Sequence, residues 1–418
     1  MKKTKFIFDL DGTLTTRETL PVIAEHFGIQ EKIASLTSET IKGNIPFVES
    51  FIQRTNILGE CSASKISELL GDIELFEGVV SFIREHCDDC VIATGNLCEW
   101  IEGLAARVGC HYESSHGNFE DDKLVKLTRI LNKRAIVEEY QAQGYRVVFV
   151  GDGNNDAEAM RFADIAIASG LIHSPARSVV EVSDYAVYDE RALLRLLGQI
   201  ASPPADGHSV VISCAGIGSR MGLGCTKALI RLGETTLIER LLAQFHDVED
   251  LRIVVGYQAS DVISVVLEQR RDVTFVYNHD YFHTKTAASL FLGGRHANKR
   301  ILAWDGDLVS SKADVNRCLG SETEFLGYSK AISDDPVYAN VVDGKVTGFT
   351  RENGQYEWTG PAYVNRDKLY FFEGDVCDQL KKYLPIDGLE LEAMDVDTHI
   401  DYRAVAEKLV EWGEVNEQ

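Results

Sequence analysis

The chain is short of basic charge, of long apolar runs and of any paired cysteine pattern. Its 42 lysines and arginines stand against 65 aspartates and glutamates, a formal net charge of −23 over 418 residues. Binding to a phosphate backbone relies on basic surface that releases counterions, so this balance argues against a nucleic-acid partner. Anionic small molecules remain admissible where local cations, metal ions or backbone N–H groups hold them. No apolar run approaches the roughly 20 residues that a membrane-spanning helix needs. Lys2, Lys3 and Lys5 precede Phe6, but Asp9 and Asp11 interrupt any signal-peptide core, and the expected location is the cytoplasm. Nine cysteines without an export signal do not suggest a disulfide framework. Cys87 and Cys90 form a CxxC, yet Cys98 and Cys110 lack the second close pair of a structural zinc site, so reduced, packed thiols are expected.

What is present is the composition of a folded protein, 45% hydrophobic and 26% charged, at a length that predicts two domains. Phe6-Ile7-Phe8 reads as the end of a buried strand, followed by Asp9 and Asp11 two positions apart and by a Gly12-Thr13 turn. A capped strand-to-helix turn would use similar residues. In an open parallel sheet, however, ligands bind beyond the carboxyl ends of the strands, where these acids stand. A mainly helical stretch from about Arg17 to Arg84 follows as an insert. Cys90 to Asn96 is a second buried strand ending in Thr94-Gly95, and Asn132-Lys133-Arg134 opens a helix that Gly144 stops. Arg146 to Val150 is a third strand, running into Gly151-Asp152-Gly153-Asn154-Asn155-Asp156. Alternating strands and helices predict a doubly wound, Rossmann-like α/β domain. Its strand and helix ends supply two acids, a hydroxyl, a lysine and two more acids, a full set for metal-assisted phosphoryl transfer. Hard oxygen ligands of this kind suit Mg²⁺.

These motifs, in this order, resemble the haloacid dehalogenase superfamily of phosphatases over about Lys3 to Leu197. The resemblance implies that Asp9 is the nucleophile and Asp11 the general acid and base. It implies that Thr94 and Lys133 hold the phosphoryl group with Gly95 beside them, and that Asn155 faces the substrate phosphate. Mg²⁺ would be bound by Asp9, Asp152 and the backbone carbonyl of Asp11, with Asp156 in support. Within the superfamily the pattern looks like the phosphoserine phosphatases. Glu18 then falls where that family places a glutamate near the substrate amine, and Arg54 where it places a carboxylate-binding arginine. An arginine fork suits a carboxylate. Thr94-Gly95-Asn96 departs from that family, where serine and two glycines are more usual.

Ala201 to Gly207 reads Ala-Ser-Pro-Pro-Ala-Asp-Gly and marks the expected boundary, giving domains 1–202, with a helical cap at about 16–84, and 203–418. A strand over Ser209 to Ser213 then leads into a glycine-rich loop from Gly216 through Gly218 and Arg220 to Lys227. Glycines allow close backbone approach and the two cations neutralise charge, so the loop suits a polyphosphate, although the Walker pattern is absent. Strands are expected over Leu251 to Tyr257, Val273 to Asn278 and Arg300 to Trp304, the last ending in Asp305-Gly306-Asp307. Asp395-Val396-Asp397 precedes a closing amphipathic helix. Two carboxylate clusters and a basic glycine loop suggest a nucleotide bound as its Mg²⁺ complex.

This half resembles the sugar-phosphate and alcohol-phosphate nucleotidyltransferases, most of all the bacterial phosphocholine cytidylyltransferases. That implies a nucleotidyltransferase fold with a mixed sheet. By the resemblance, Arg220 and Lys227 bind triphosphate, Gly216 and Gly218 approach the substrate, and Asp307 and Asp397 carry Mg²⁺ with Asp305 in support. Thr226 stands where that family usually has proline. Tyr328, Trp358 and Tyr363 are candidates to line an acceptor pocket, since aromatic faces hold quaternary ammonium groups and also build ordinary cores. The expectation is a bifunctional enzyme: a Mg²⁺-dependent phosphatase fused to a transferase that uses CTP or another NTP. Its other substrates would be small phosphomonoesters or phosphonates. A chain with one catalytic and one regulatory or nucleotide-binding domain is the alternative, and a homo-oligomer is left open.

Overall fold

The computed structural model describes residues 2–41, 44–218, 224–333 and 336–413. The chain divides into two compact units, Met1–Leu194 and Arg195–Gln418. None of the helices among the described residues is long and apolar enough to cross a membrane.

The first unit is built on β1 (Thr4–Phe8), β2 (Cys90–Leu97), β3 (His111–Glu120), β4 (Lys123–Arg129), β5 (Arg146–Gly151), β6 (Ile165–Ser169) and β7 (Tyr185–Val187). Six strands run parallel in the order β7-β6-β5-β1-β2-β3, and β4 folds back antiparallel on β3. The strand at the centre is therefore β1, with Phe8 opposite Val150 on one side and Ile92 on the other. Phe6, Ile7, Phe8, Val91, Ile92 and Val148 to Val150 are all buried, as strands covered on both faces must be. Helices Thr19–His26, Gln30–Ile41, Phe47–Gly59, Ala63–Gly71 and Glu77–Glu85 fill the insert between β1 and β2. Sequence pattern predicts those helices but not the hairpin of β3 and β4. Its strands are polar and only partly buried, so they carry neither the apolar run nor the clean alternation that marks a strand.

The second unit contains β8 (His208–Ser213), β9 (Arg231–Leu232), β10 (Thr235–Thr236), β11 (Leu251–Val255), β12 (Thr274–Tyr277), β13 (Arg300–Asp305) and β14 (Leu308–Ser310). It continues with β15 (Phe325–Lys330), β16 (Tyr338–Val342), β17 (Lys345–Thr350), β18 (Tyr356–Asn365), β19 (Ile386–Glu390) and β20 (Ala393–Asp395). Parallel strands β13-β8-β11-β12 form the doubly wound half, and β18 joins β13 antiparallel, so the sheet is mixed. From β18 the strands close on one another in a ring, β18-β15-β19-β17-β16.

A short antiparallel ladder between β14 and β20 pairs Leu308 with Asp395, and the Val396 N–H donates to the Asp307 carbonyl at 3.1 Å. The C-terminal helix His399–Glu411 fixes this ladder. Its Thr398 and Asp401 form a reciprocal cap, and Val405 and Leu409 pack with Ile230, Leu237, Val309 and Val396. Tyr328 and Tyr363 belong to this unit's core rather than to a pocket, at 8% and 4% exposure. Tyr328 meets Tyr356 edge-on and Tyr363 stacks on Phe325. Successive residues of a strand face opposite sides, so an aromatic strand residue is as readily a core residue as a pocket wall.

Candidate active sites

In the first unit, β1 ends at Phe8 and delivers Asp9, whose carboxylate accepts from the Leu10 N–H at 2.8 Å. The chain then turns through Gly12 at φ +68°, where a Cβ would lie 2.8 Å from the Asp152 carboxyl carbon. Only glycine fits a position that is both left-handed and this close to a second carboxylate. Lys133 is the first residue of the helix Lys133–Ala142, whose N-cap Asn132 accepts from Ala135 N. Lys133 Nζ lies 2.6 Å from Asp9 Oδ1 and 2.6 Å from Asp156 Oδ1. The other Asp156 oxygen accepts from the backbone N–H groups of Asp152 and Gly153 at 3.2 and 3.0 Å. Asp9, Asp152 and Asp156 are buried and offer oxygens within 4.8 Å of one another.

Three acids around one lysine leave negative charge uncompensated in a buried place. Burial first, then Asp156, pushes the Asp9 carboxyl well above the usual carboxylate range; burial, Asp9 and Asp156 push Asp152 to about 10. Burial works against the Lys133 ammonium, but Asp156 and Asp9 raise it above an ordinary lysine. Asp152 Oδ1 is buried with no hydrogen-bond partner. A hard divalent cation fits this donor set, since it would neutralise the acids and occupy the orphaned oxygen.

Asp11 is half-buried and held on both oxygens. Oδ1 accepts from Thr19 N and Oδ2 from the Asn96 amide, each at 2.7 Å. Burial, and next the charge of Glu18, raise it to about 6, a value suited to donating and accepting a proton near neutrality. Thr94 is fully buried within β2, which runs on to Leu97 instead of ending at Thr94-Gly95, and its hydroxyl accepts from the backbone and side-chain nitrogens of Asn96 at 3.2 Å. Gly95 follows, with room for a Cβ at 3.7 Å from Phe51. Asn155 is half-buried, its Oδ1 over Gly153. Arg54 is also half-buried; burial lowers it, while Glu18 and Asp11 act on it as opposite charges, which brings the insert's arginine to the acid end of β1.

Two residues of this site escape a reading of motifs. Asn96 holds Asp11 and, through its Oδ1, accepts from the Thr19 hydroxyl. His173 lies 3.0 Å from Glu18 and 3.3 Å from Asp152. A polar residue inside a strand that otherwise reads apolar was the available signal for Asn96. Nothing in the loop Gly170 to Ser174 singles out His173.

In the second unit β13 ends in Asp305, and Asp307 follows after Gly306, whose N–H donates to Ser213 O at 3.0 Å. Lys227 sits in the short helical turn Lys227–Leu229, with Nζ 2.5 Å from Asp307 Oδ2 and in contact with Asp397 Oδ1. The ladder of β14 and β20 thus brings Asp397, 170 positions away in sequence, to the lysine at the loop's end. Thr226, at the usual proline position, anchors the loop by donating to Cys214 O at 3.4 Å and by its N–H to Gln258 at 2.8 Å. Arg220 lies outside the described residues.

Asp395 is a further acid here that motif reading leaves without a role. Burial raises it, and Asp307 and Asp305 add to the rise. Asp305 is raised to about 7 by burial and next by Asp307, while Asp307 and Asp397 raise Lys227 against its own burial. Gly360, at φ +97°, is needed beside this cluster, since a Cβ there would meet Asp305 Oδ2 at 2.6 Å. Gly216, Gly218, Lys227 and the acids Asp305, Asp307, Asp395 and Asp397 line one open cavity of about 600 Å³. Trp358 lines it too; Tyr328 and Tyr363 do not.

Each unit is thus a doubly wound α/β body with acids and one lysine that bridges two of them by the strand ends, the form of a phosphoryl-transferring domain. Comparison with known proteins agrees. Residues 6–164 match the haloacid dehalogenase-like hydrolase family, and residues 210–328 match the MobA-like NTP transferase domain. The phosphoserine phosphatase of Methanocaldococcus jannaschii is 26% identical over 182 residues, which cover 40% of this chain and 85% of that one. A probable phosphoserine phosphatase of Schizosaccharomyces pombe is 28% identical over 185 residues, which cover 40% of this chain and 61% of that one. Among solved structures, a phospho-aspartyl intermediate analogue of phosphoserine phosphatase covers 47% of this chain and 99% of its own, at 24% identity and TM-score 0.41. The CTP:phosphocholine cytidylyltransferase of Streptococcus pneumoniae covers 48% and 99%, at 21% identity and TM-score 0.41. The chain is a fusion of a haloacid dehalogenase-like hydrolase domain with a MobA-like NTP transferase domain.

Proposed function

We propose that the first unit hydrolyses a small phosphomonoester through an aspartyl-phosphate and that the second transfers a nucleotidyl group, from CTP, to a small phosphate or phosphonate. The observation that supports this most is common to both units: one lysine bridges two carboxylates from distant parts of the sequence, the buried Lys133 in one and the half-buried Lys227 in the other.

In the hydrolase unit the Asp9 carboxylate attacks phosphorus while Asp11 gives its proton to the departing ester oxygen. Asp11 then takes a proton from the water that cleaves the acyl phosphate and releases inorganic phosphate. Lys133 and the Thr94 hydroxyl grip the phosphoryl oxygens, Asn155 and Gly95 border them, and Asn96 fixes the acid in reach of the leaving group. Glu18 and Arg54 meet the rest of the substrate. In the transferase unit an acceptor oxygen attacks the α-phosphorus in line, pyrophosphate leaves, and Lys227, with Arg220 of the same loop, balances the charge that develops. Magnesium ions held by Asp9, Asp152 and the Asp11 carbonyl, with Asp156 in support, and by Asp307 and Asp397, would supply further neutralisation of phosphate charge.

The test is pyrophosphate release from each of the four nucleoside triphosphates with a panel of phosphomonoesters and phosphonates, run with and without Mg²⁺. CTP should give the fastest release, and Asp307→Ala should abolish it. Release that is equal for all four, or that survives in the variant, contradicts the assignment.

A further inference from the structure

The cavity of the second unit has charged lining residues to which the nucleotide and metal chemistry gives no role. Lys285, Arg351, Asp375 and Trp358 line it together. Lys285 Nζ lies 3.3 Å and Arg351 Nη2 3.7 Å from the same oxygen, Oδ2 of Asp375. Charge-assisted bonds of this type are ordinarily about 2.7–2.9 Å, so both pairs are loose. The cationic side chains are more than half exposed, at 59% and 58%. They belong to separate elements. Lys285 is the N-cap of the helix Thr286–Gly294, Arg351 follows β17, and Asp375 is the N-cap of the helix Val376–Leu380, where its side chain caps nothing. Asp375 also acts on Asp305 as a like charge, which ties the triad to the acids around Lys227.

We propose that this triad selects an acceptor whose end remote from phosphorus carries both a carboxylate and an ammonium group. Two cations and one acid, loosely paired, present the complement of such a zwitterion. Its carboxylate displaces Asp375 from Arg351 and Lys285, and its ammonium takes Asp375 in their place. Two ion pairs become three, so opening the triad leaves none of its charges alone. An acceptor with an ammonium alone would satisfy Asp375 but leave the two cations facing each other, and one with a carboxylate alone would crowd two anions between them. The Trp358 ring, braced edge-on by Phe349 at 5.5 Å between centroids, offers a face to the same ammonium. The inference rests on the transferase reading above and names the substrate class of that site.

Phosphonates make suitable probes, because the hydrolase unit cannot break a carbon–phosphorus bond by attack at an ester. Calorimetric titration of the full chain, with Mg²⁺ and a non-hydrolysable CTP analogue, would compare phosphonoalanine with aminoethylphosphonate and phosphonopropionate. Phosphonoalanine is expected to bind at least about tenfold more tightly than either, as one extra charge-assisted contact implies. In Arg351→Gln its affinity should fall to that of aminoethylphosphonate, and in Asp375→Asn to that of phosphonopropionate. Equal affinity for the three probes overturns the proposal. So does an Arg351→Gln variant that weakens all three alike, which would mean that the cations grip the phosphonate end. Pyrophosphate release, followed separately, reads the transfer reaction itself: its absence with every acceptor would sink the transferase reading, whereas the order of affinities decides the zwitterion site.

Discussion

Lys133 and Asp9 meet at 2.6 Å in a place where both side chains are almost fully buried, 4% and 7% exposed. The pair brings the helix that follows the hairpin of β3 and β4 against the end of the central strand, and the same ammonium reaches Asp156. Removing it leaves two carboxylates facing each other without a proton donor between them. Lys133→Met is therefore expected to cost the hydrolase unit about 3 kcal/mol of stability and at least about a hundredfold in hydrolysis. Denaturant titration and phosphate release measure the two effects, and pyrophosphate release by the same variant should be unaffected.

The Asn96 amide donates to Asp11, which favours the charged carboxylate and keeps its value at about 6 rather than higher. Without that bond the proton is held more tightly. Asn96→Ala should move the alkaline limb of the hydrolase pH–rate profile, where Asp11 loses the proton it gives to the leaving group, to higher pH. A profile that stays in place, or shifts toward acid, would remove Asp11 from that role.

Acid should unfold the second unit through Asp250. Burial alone would raise this carboxyl, but Arg252, the Ser209 hydroxyl, Arg195 and Gln199 together hold it below the usual carboxylate range. The folded value is below the unfolded one, about 3.9. Its contribution is thus fully present above that pH and is lost as pH falls through the depressed folded value. Thermal melts between pH 6 and pH 3, read on the buried Trp304, should show the loss. Asp250→Asn should be less stable at neutrality and should lack that part of the acid dependence.

At Gly360 the left-handed φ and the 2.6 Å approach to Asp305 act together. Gly360→Ala should push the Asp305 carboxylate out of line and lower nucleotidyl transfer by at least about tenfold, the effect expected when a positioned group shifts by a fraction of an ångström. Hydrolysis by the same protein should be unchanged, and both rates can be read on one sample.

Most of both sites was legible because strand ends carry their chemistry in consecutive residues. Asp9-Leu10-Asp11, Gly151 to Asp156 and Asp305-Gly306-Asp307 each occupy one turn, and an apolar run fixes where the turn begins. The helix at Lys133 was equally plain, with Asn132 before it and Gly144 after it. What could not be read depends on pairing at a distance. The ladder between β14 and β20 is three residues on each side, too short to show a period, yet it puts Asp395 into the transferase site. His173 reaches Glu18 across 155 positions from a loop without any pattern. The aromatic residues misled for the converse reason: Tyr328, Trp358 and Tyr363 have the same composition signal, yet Trp358 lines the cavity while Tyr328, its partner across the ladder, and Tyr363 are core residues.

Two independent lysine-centred sites in one chain make the most direct demand on experiment. Phosphate release from a phosphomonoester and pyrophosphate release from CTP should be measured side by side on the full chain, on Asp9→Asn and on Asp307→Asn. The account predicts that Asp9→Asn loses phosphate release and keeps pyrophosphate release, and that Asp307→Asn does the reverse. Loss of both activities in either variant, or of neither in both, would contradict it.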